Sequence, residues 1–328
     1  NIKTQKVITK IIKNTSGSIL FSLDDKFIFY SKLDENHRPR KIFRHEIGGK
    51  NKEDELIFDE KTEAFTVSIG ISSDEKYYFI NSSDHNTSEQ YYFKIDEEKP
   101  IPKLIQRREK GILYNVNSWD GNFYMHTNKN AEDFKIEKTN NRNFDKWETF
   151  IPAKSETLIG GLTFLNDWII RSEVSNALGK IFVRNLKTNE EEEIIFSDEK
   201  VYDGGVSLLQ KDKNTDLIHI SYSTPKTQSR VYLYNLKTKK KELLKEQVIP
   251  SGHNPDDYIV ERFDCESHDG RKVPVTITRH KKTKIDGNAN LLLYGYGSYG
   301  NSMSTGFSST KFSLIDRDII WATAHIRG

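Results

Sequence analysis

Short polar turns punctuate the first 245 residues at a nearly constant interval, and that interval constrains the fold more than any other feature of the chain. The turns are Asp24-Asp25, Asp74-Glu75, Asp120-Gly121, Asn166-Asp167 and Lys213-Asn214; taken at 24, 74, 120, 167 and 214, they are separated by 50, 46, 47 and 47 residues. Four short antiparallel strands and three turns need about 40–50 residues, so each step is the size of one propeller blade. Each turn precedes a β-type run: Lys26-Phe-Ile-Phe-Tyr30, Lys76-Tyr-Tyr-Phe-Ile80, Asn122-Phe-Tyr-Met125, Asp167-Trp-Ile-Ile170 and Leu217-Ile-His-Ile220. Two later hairpins, around Asn185-Leu-Lys-Thr188 and Asn235-Leu-Lys-Thr238, share the same turn sequence. From the residues alone, a sandwich or barrel built of these strands remains the alternative.

Composition narrows the class of protein. A chain of 328 residues exceeds one small core, so two domains are expected. With 50 Lys and Arg against 48 Asp and Glu, the net charge of +2 offers no field to recruit nucleic acid or an anionic membrane. The 15 Tyr and 18 Phe supply large buried areas, which argues against disorder despite a hydrophobic fraction of 35%. A single cysteine, Cys265, forms no intrachain disulfide and is expected buried in a strand; together with the absence of paired metal-ligand spacing it points to a reducing cytoplasm. No apolar run reaches the ~18 residues of a membrane span, and Asn1-Ile-Lys-Thr-Gln-Lys6 does not read as an export signal. The charge runs Glu190–Glu193 and Lys239–Lys241 fall at turns and read as solvated edges that discourage sheet-to-sheet pairing.

The pattern changes between 248 and 257, where Pro250, Ser251-Gly252 and Asn254-Pro255 interrupt any strand ladder. This places a boundary after residue 247, with a linker at 248–257. Beyond it, Tyr258-Ile-Val-Glu-Arg-Phe263 and Lys272-Val-Pro-Val-Thr-Ile-Thr-Arg279 read as hairpin arms around His268-Asp-Gly270. The apolar run Leu291–Leu293 then enters the glycine-rich bend Gly295-Tyr-Gly-Ser-Tyr-Gly300, and a further strand is expected within Asp318–Ala324. Two antiparallel strands followed by a buried strand ending in a sharp glycine turn is how an α/β-hydrolase sheet opens.

Several stretches resemble the prolyl oligopeptidase family, and within it the oligopeptidase B (protease II) branch. They are Leu292-Leu-Tyr-Gly-Tyr-Gly-Ser-Tyr-Gly300, Phe312-Ser-Leu-Ile-Asp-Arg317 and Ala324-His-Ile-Arg-Gly328. Upstream, Val248-Ile-Pro-Ser-Gly-His-Asn-Pro-Asp-Asp-Tyr258 and His268-Asp-Gly-Arg-Lys-Val-Pro-Val275 resemble that family's crossing from propeller to catalytic domain. Phe27-Ile-Phe-Tyr30 and Phe43-Arg-His-Glu-Ile-Gly48 resemble the middle of its propeller. The resemblance implies a mostly β chain: about five blades of a seven-bladed propeller over 1–247, then the amino-terminal part of an α/β-hydrolase domain over 258–328. It also implies a serine endopeptidase acting on short peptides after Arg or Lys, with no cofactor and no metal, under a propeller that admits only small substrates.

Serine peptidase chemistry needs a nucleophile, a histidine base, an aspartate that orients it, and donors aimed at the oxyanion. No Gly-x-Ser-x-Gly bend occurs; Ser298 and Ser302 have the wrong spacing and lie where this fold puts oxyanion donors. Of nine histidines, only His325 lies near the carboxyl ends of the hydrolase strands, and it precedes any nucleophile bend. His253 and His268 fall in the linker and the hairpin turn, where structural or surface roles are expected. Nucleophile and base are thus expected to be absent, and the chain alone inactive, with a carboxyl-terminal catalytic portion as partner. The resemblance assigns Tyr296 as the phenol that donates to the oxyanion, and Tyr299 as an aromatic lining the substrate pocket. The alternative is a non-catalytic propeller remnant or peptide-binding module. Gly295-Tyr-Gly-Ser-Tyr-Gly300 also satisfies Gly-x-Gly-x-x-Gly, but a dinucleotide fold would need a helix next, and Asn301–Thr310 is a poor one.

Overall fold

The computed structural model describes residues 3–5, 12–50, 53–209 and 212–327, so Gly328 and residues 1, 2 and 6 of the amino-end hexapeptide lie outside the described residues. The chain divides into two compact units, Asn1–Ala153 and Lys154–Gly328.

The first unit holds three four-stranded antiparallel sheets, each with its strands in sequence order. They are β1 (Thr15–Phe21), β2 (Phe27–Leu33), β3 (Pro39–Glu46) and β4 (Glu55–Asp59); β5 (Thr66–Ile71), β6 (Tyr77–Ser83), β7 (Ser88–Lys94) and β8 (Lys103–Gln106); and β9 (Tyr114–Trp119), β10 (Asn122–Thr127), β11 (Lys135–Thr139) and β12 (Glu148–Ile151). The second unit continues with β13 (Thr157–Phe164), β14 (Trp168–Ser175), β15 (Leu178–Asn185) and β16 (Glu191–Glu193), then β17 (Asp203–Ser207), β18 (Leu217–Ser223), β19 (Arg230–Asn235) and β20 (Lys241–Glu246). All five periodic turns of the sequence therefore join the first and second strands of a sheet.

Side-chain alternation explains why these sheets stack as blades. In β6, Tyr77 and Phe79 enter one core with Tyr114, Val116, Phe123 and Met125 of the third sheet. Tyr78 and Ile80, on the opposite face, enter another with Phe29, Ile42 and Ile57 of the first. Successive residues of a strand point to opposite faces, so a strand covered on both sides reads as an unbroken apolar run. Each fully buried Phe or Ile is worth about 1.5–3 kcal/mol. A third core joins Ile170, Ile181 and Val183 of the fourth sheet to Ile218, Ile220 and Tyr222 of the fifth.

The turns repeat bond for bond. Ser22 Oγ donates to Asp24 Oδ1 at 2.7 Å and accepts from Phe27 N–H at 2.9 Å. Ser72 Oγ donates to Asp74 Oδ1 at 2.7 Å and accepts from Tyr77 N–H at 3.0 Å. Asp25 and Glu75 take the same left-handed conformation, with φ of 56° and 55°. In the second unit, Asn185 Oδ1 accepts from Lys187 and Thr188 N–H, as Asn235 Oδ1 does from Lys237 and Thr238 N–H.

The remaining sheet is mixed, in the order β21 (Tyr258–Glu266), β22 (Lys272–His280), β24 (Ile320–Ala324), β23 (Leu291–Gly295), with α1 (Ser309–Ile315) before the last strand. β21 and β22 form the expected hairpin, and β24 inserts between β22 and β23, parallel to β23. A parallel pair cannot be closed by a tight turn, so the chain crosses over through the glycine bend, an extended stretch and α1. Tyr258, Phe312 and Ile315 pack this crossover against the sheet. Of the stretch 301–310 expected to make a poor helix, 301–308 is non-helical, whereas Ser309 and Thr310 begin α1.

Three expectations need correction. Cys265 is exposed, because it lies on β21, an edge strand of the mixed sheet whose last residues face solvent. Leu291 and Leu293 were expected buried but are 53% and 64% exposed, since β23 is the other edge and has no outer neighbour among the described residues. Glu191 is not simply a solvated edge charge: Arg171 Nη1 and Nη2 each donate to its carboxylate at 2.9 Å.

Candidate functional site

The candidate site is the bend at the carboxyl end of β23. Gly295 pairs with Ala324, bringing the start of the bend beside the segment after β24. A Cβ on Gly297 would lie 2.3 Å from Arg327 O and 3.0 Å from Ile326 Cδ1, so only glycine lets the two backbones run this close. A 3-10 turn follows at Ser298–Gly300, where Tyr299 and Gly300 are both left-handed, with φ of 59° and 73°. A tyrosine held in that region is strained relative to glycine by about 1–2 kcal/mol. Tyr296 is 42% exposed and Tyr299 78% exposed, so both assigned rings stand at the surface on one loop.

His325, immediately after β24, is buried and fully engaged. Its Nδ1 lies 2.6 Å from Met303 O; a carbonyl only accepts, so Nδ1 carries the proton. Nε2 then accepts from Thr276 Oγ1 at 2.8 Å, and Thr276 Oγ1 accepts from Arg262 Nη1 at 3.1 Å. Burial chiefly, with the nearby Arg262 and Lys311 charges, pushes the imidazole pKa down, although donation to Met303 O works the other way. His325 is therefore neutral at pH 7 and faces a threonine rather than a serine. Arg327 Nη2 donates to Asp269 Oδ2 at 2.5 Å, tying the segment after β24 to the β21–β22 turn.

His253 and His268 take the expected kinds of place. His268 is exposed in the hairpin turn. His253 stacks on Tyr258 with ring centroids 5.1 Å apart, and its Nε2 donates to Lys226 O at 2.6 Å. Thr276, Arg262 and Met303 carried no sequence signal of their own. Thr276 could have been flagged only as a polar residue beside the apolar Val275 and Ile277 of β22. Among the described residues, no group of three His, Cys, Asp or Glu side chains gathers to hold a metal, and no helix is long and apolar enough to cross a membrane.

Stacked four-stranded blades leading into a mixed sheet with a glycine bend define a propeller joined to the opening of a hydrolase-type sheet. Comparison with known proteins agrees: the family model for the prolyl oligopeptidase N-terminal β-propeller domain matches residues 1–247. The chain belongs to the prolyl oligopeptidase family. It is 28% identical over 333 residues to dipeptidyl aminopeptidase BI of Pseudoxanthomonas mexicana, covering 100% of this chain and 45% of that protein. Identity to protease 2 of Moraxella lacunata is 28% over 312 residues, 95% of this chain and 45% of that protein. Among solved structures, oligopeptidase B from Trypanosoma brucei with covalently bound antipain superposes with a TM-score of 0.91 at 25% identity, covering 98% of this chain and 47% of that one. Oligopeptidase B from Leishmania major has the same fold, with a TM-score of 0.91 at 22% identity, covering 99% of this chain and 47% of that one. The chain thus spans about half the length of the relatives it matches.

Proposed function

We propose that this chain forms the propeller and opening sheet of an oligopeptidase B-like serine peptidase that cleaves short peptides after Arg or Lys in a reducing cytoplasm. The observation that carries the reading is the Tyr296 bend, at the end of a strand parallel to β24 and packed through Gly297 against the backbone at Arg327. A phenol there is a neutral donor suited to a developing oxyanion, and Tyr299 on the same loop is suited to line a peptide pocket. The exposed apolar edge of β23 supports continuation of the sheet into a portion carrying nucleophile, aspartate and histidine. In this reading the propeller limits access to short peptides.

The test is turnover of Arg- and Lys-containing dipeptide amides. The chain by itself is expected to give none, and the protein extended through the full length of its relatives is expected to be active. In the extended protein Tyr296→Phe should lower kcat by about 10²–10³-fold. Activity of the chain alone that survives repurification, or a Tyr296→Phe variant with unchanged kcat, overturns the proposal.

A further inference from the structure

The bonds around His325 continue in both directions, and the continuation reaches the propeller. Arg262 Nη1 donates to Thr276 Oγ1 while Nη2 of the same guanidinium donates to Asn176 O. Asn176 belongs to the two-residue turn between β14 and β15, in which Asn176 and Ala177 are left-handed with φ of 50° and 54°. Two left-handed residues make the type I′ hairpin turn, but alanine is a poor occupant of the second place, so the carbonyl is presented by a turn held under strain. At the other end, His325 Nδ1 donates to Met303 O, three residues after the bend at Gly300. A chain of donors and acceptors thus runs from Asn176 through Arg262, Thr276 and His325 to Met303, with each group used in the one direction its chemistry allows. Separately, Thr305 Oγ1 donates to Tyr202 O at 2.9 Å and Phe307 N–H to Ser223 Oγ at 3.3 Å, so the stretch after Met303 also rests on the fifth sheet.

We propose that Arg262, Thr276 and His325 are positioning residues that couple the docking of the fourth sheet to the geometry of the Tyr296–Met303 loop. The consequence for oxyanion stabilisation rests on the function proposed above; the coupling itself does not. If the fourth sheet moves away from β21, Arg262 loses one of its two acceptors and the guanidinium is free to leave Thr276. The Thr276 hydroxyl then has no fixed orientation, and the hold on His325 and Met303 loosens. The loop carrying Tyr296 and Tyr299 is set only while the blade is seated.

Protonation supplies an independent handle. The charged groups facing His325 are Arg262 from β21 and Lys311 from α1, and the carboxylate acting on Arg262 is Asp264. The folded-state pKa of His325 lies below the ordinary 6.5, so the neutral relay is intact above 6.5 and is lost as pH falls through that lower value. Protonated Nε2 would present a hydrogen to Thr276 Oγ1, reversing one link and adding a third positive group beside Arg262 and Lys311.

Hydrogen exchange of the chain, followed by mass spectrometry, tests the coupling without reference to peptidase activity. Arg262→Met is expected to raise exchange of residues 296–303 about tenfold, while peptides from β18 and β19 stay unchanged. Thr276→Val should do the same. In the wild type, loop exchange corrected for its intrinsic pH dependence should rise as pH falls below 6.5; in His325→Gln, whose amide donates and accepts but does not titrate, it should not. An Arg262→Met variant with unaltered loop exchange, or one whose exchange rises uniformly across the unit, overturns the proposal. If that variant fails to fold, an identical acid response in wild type and His325→Gln overturns it equally.

Discussion

Each unit contains an arginine clamped between two glutamates, and the two clamps do different jobs. In the first unit, Arg108 Nη2 reaches Glu60 at 2.7 Å and Glu89 at 2.9 Å. Glu60 follows the last strand of the first sheet, whereas Glu89 lies on β7 of the second. Ser82 Oγ donates to Glu60 at 2.5 Å and Tyr91 to Glu89 at 2.6 Å, so both carboxylates are satisfied. In the second unit, Arg171 bonds Glu173 two residues along its own strand and Glu191 on β16 of the same sheet. Lys154 supplies Glu173 with further donors at 2.6 and 2.9 Å. One clamp sutures neighbouring blades and has no spare cation among the described residues, while the other ties strands within a blade and has two, Lys154 on Glu173 and Arg184 on Glu191. Buried charge near a blade boundary therefore secures stacking, and the same chemistry inside a blade secures its edge.

Removing the cation from the suture should have the largest effect. Arg108→Met strands two buried carboxylates and is expected to cost about 3–5 kcal/mol, read as a fall in the denaturation midpoint. A loss under about 1 kcal/mol would break the comparison. Acid should come next. Burial alone would raise the Glu60 carboxyl, but Arg108, Ser82 and Thr62 N–H outweigh it and hold the pKa at about 2, below the ordinary 4.5. Its stabilisation, about 3 kcal/mol, is fully present above pH 4.5 and is lost as pH falls toward 2. Glu89 is lowered in the same direction, its burial overcome chiefly by Arg108. Denaturant titrations from pH 6 to pH 2 should show the loss in wild type and much less of it in Glu60→Gln.

Arg171→Met should be milder, about 2 kcal/mol, because Lys154 still faces Glu173 and Arg184 still faces Glu191. Adding Lys154→Met should bring the loss closer to that of Arg108→Met, with Arg184 still facing Glu191; simple equality of the two single variants would show that the spare cations are irrelevant. The smallest effects belong to the turns. Ser72→Ala removes a buried acceptor of two N–H groups and should cost about 1 kcal/mol, whereas Asn185→Ala, in an exposed turn, should cost about 0.5 kcal/mol. The reverse order would mean that turn chemistry, rather than burial, sets the difference.

The sequence revealed the local features and hid the distant ones. Ser22-Leu-Asp-Asp-Lys26 and Ser72-Ser-Asp-Glu-Lys76 spell out their own turn geometry, because the bonds that close such turns lie within five residues. The glycine bend was legible for a similar reason: the need for Gly297 comes from a sharp local approach, although the partner at Arg327 O was not visible. Arg108 with Glu60 and Arg262 with Asn176 join residues 48 and 86 apart, and no periodicity marks which surface charge will be folded inward. Glu191 misled for this reason, as one glutamate in a run of four looks like the other three. The order of the mixed sheet was hidden too, since nothing in Ile320–Ala324 says it will slip between two earlier strands.

The two-faced packing of β6 has a consequence for how such a chain changes over time. Tyr77 and Phe79 serve one neighbour while Tyr78 and Ile80 serve the other, so inserting a single residue there would hand each partner the wrong set of rings. Small edits to length are barred from the middle of the array and pushed out into its turns. Growth or shrinkage through the middle is open only by whole multiples of the repeat.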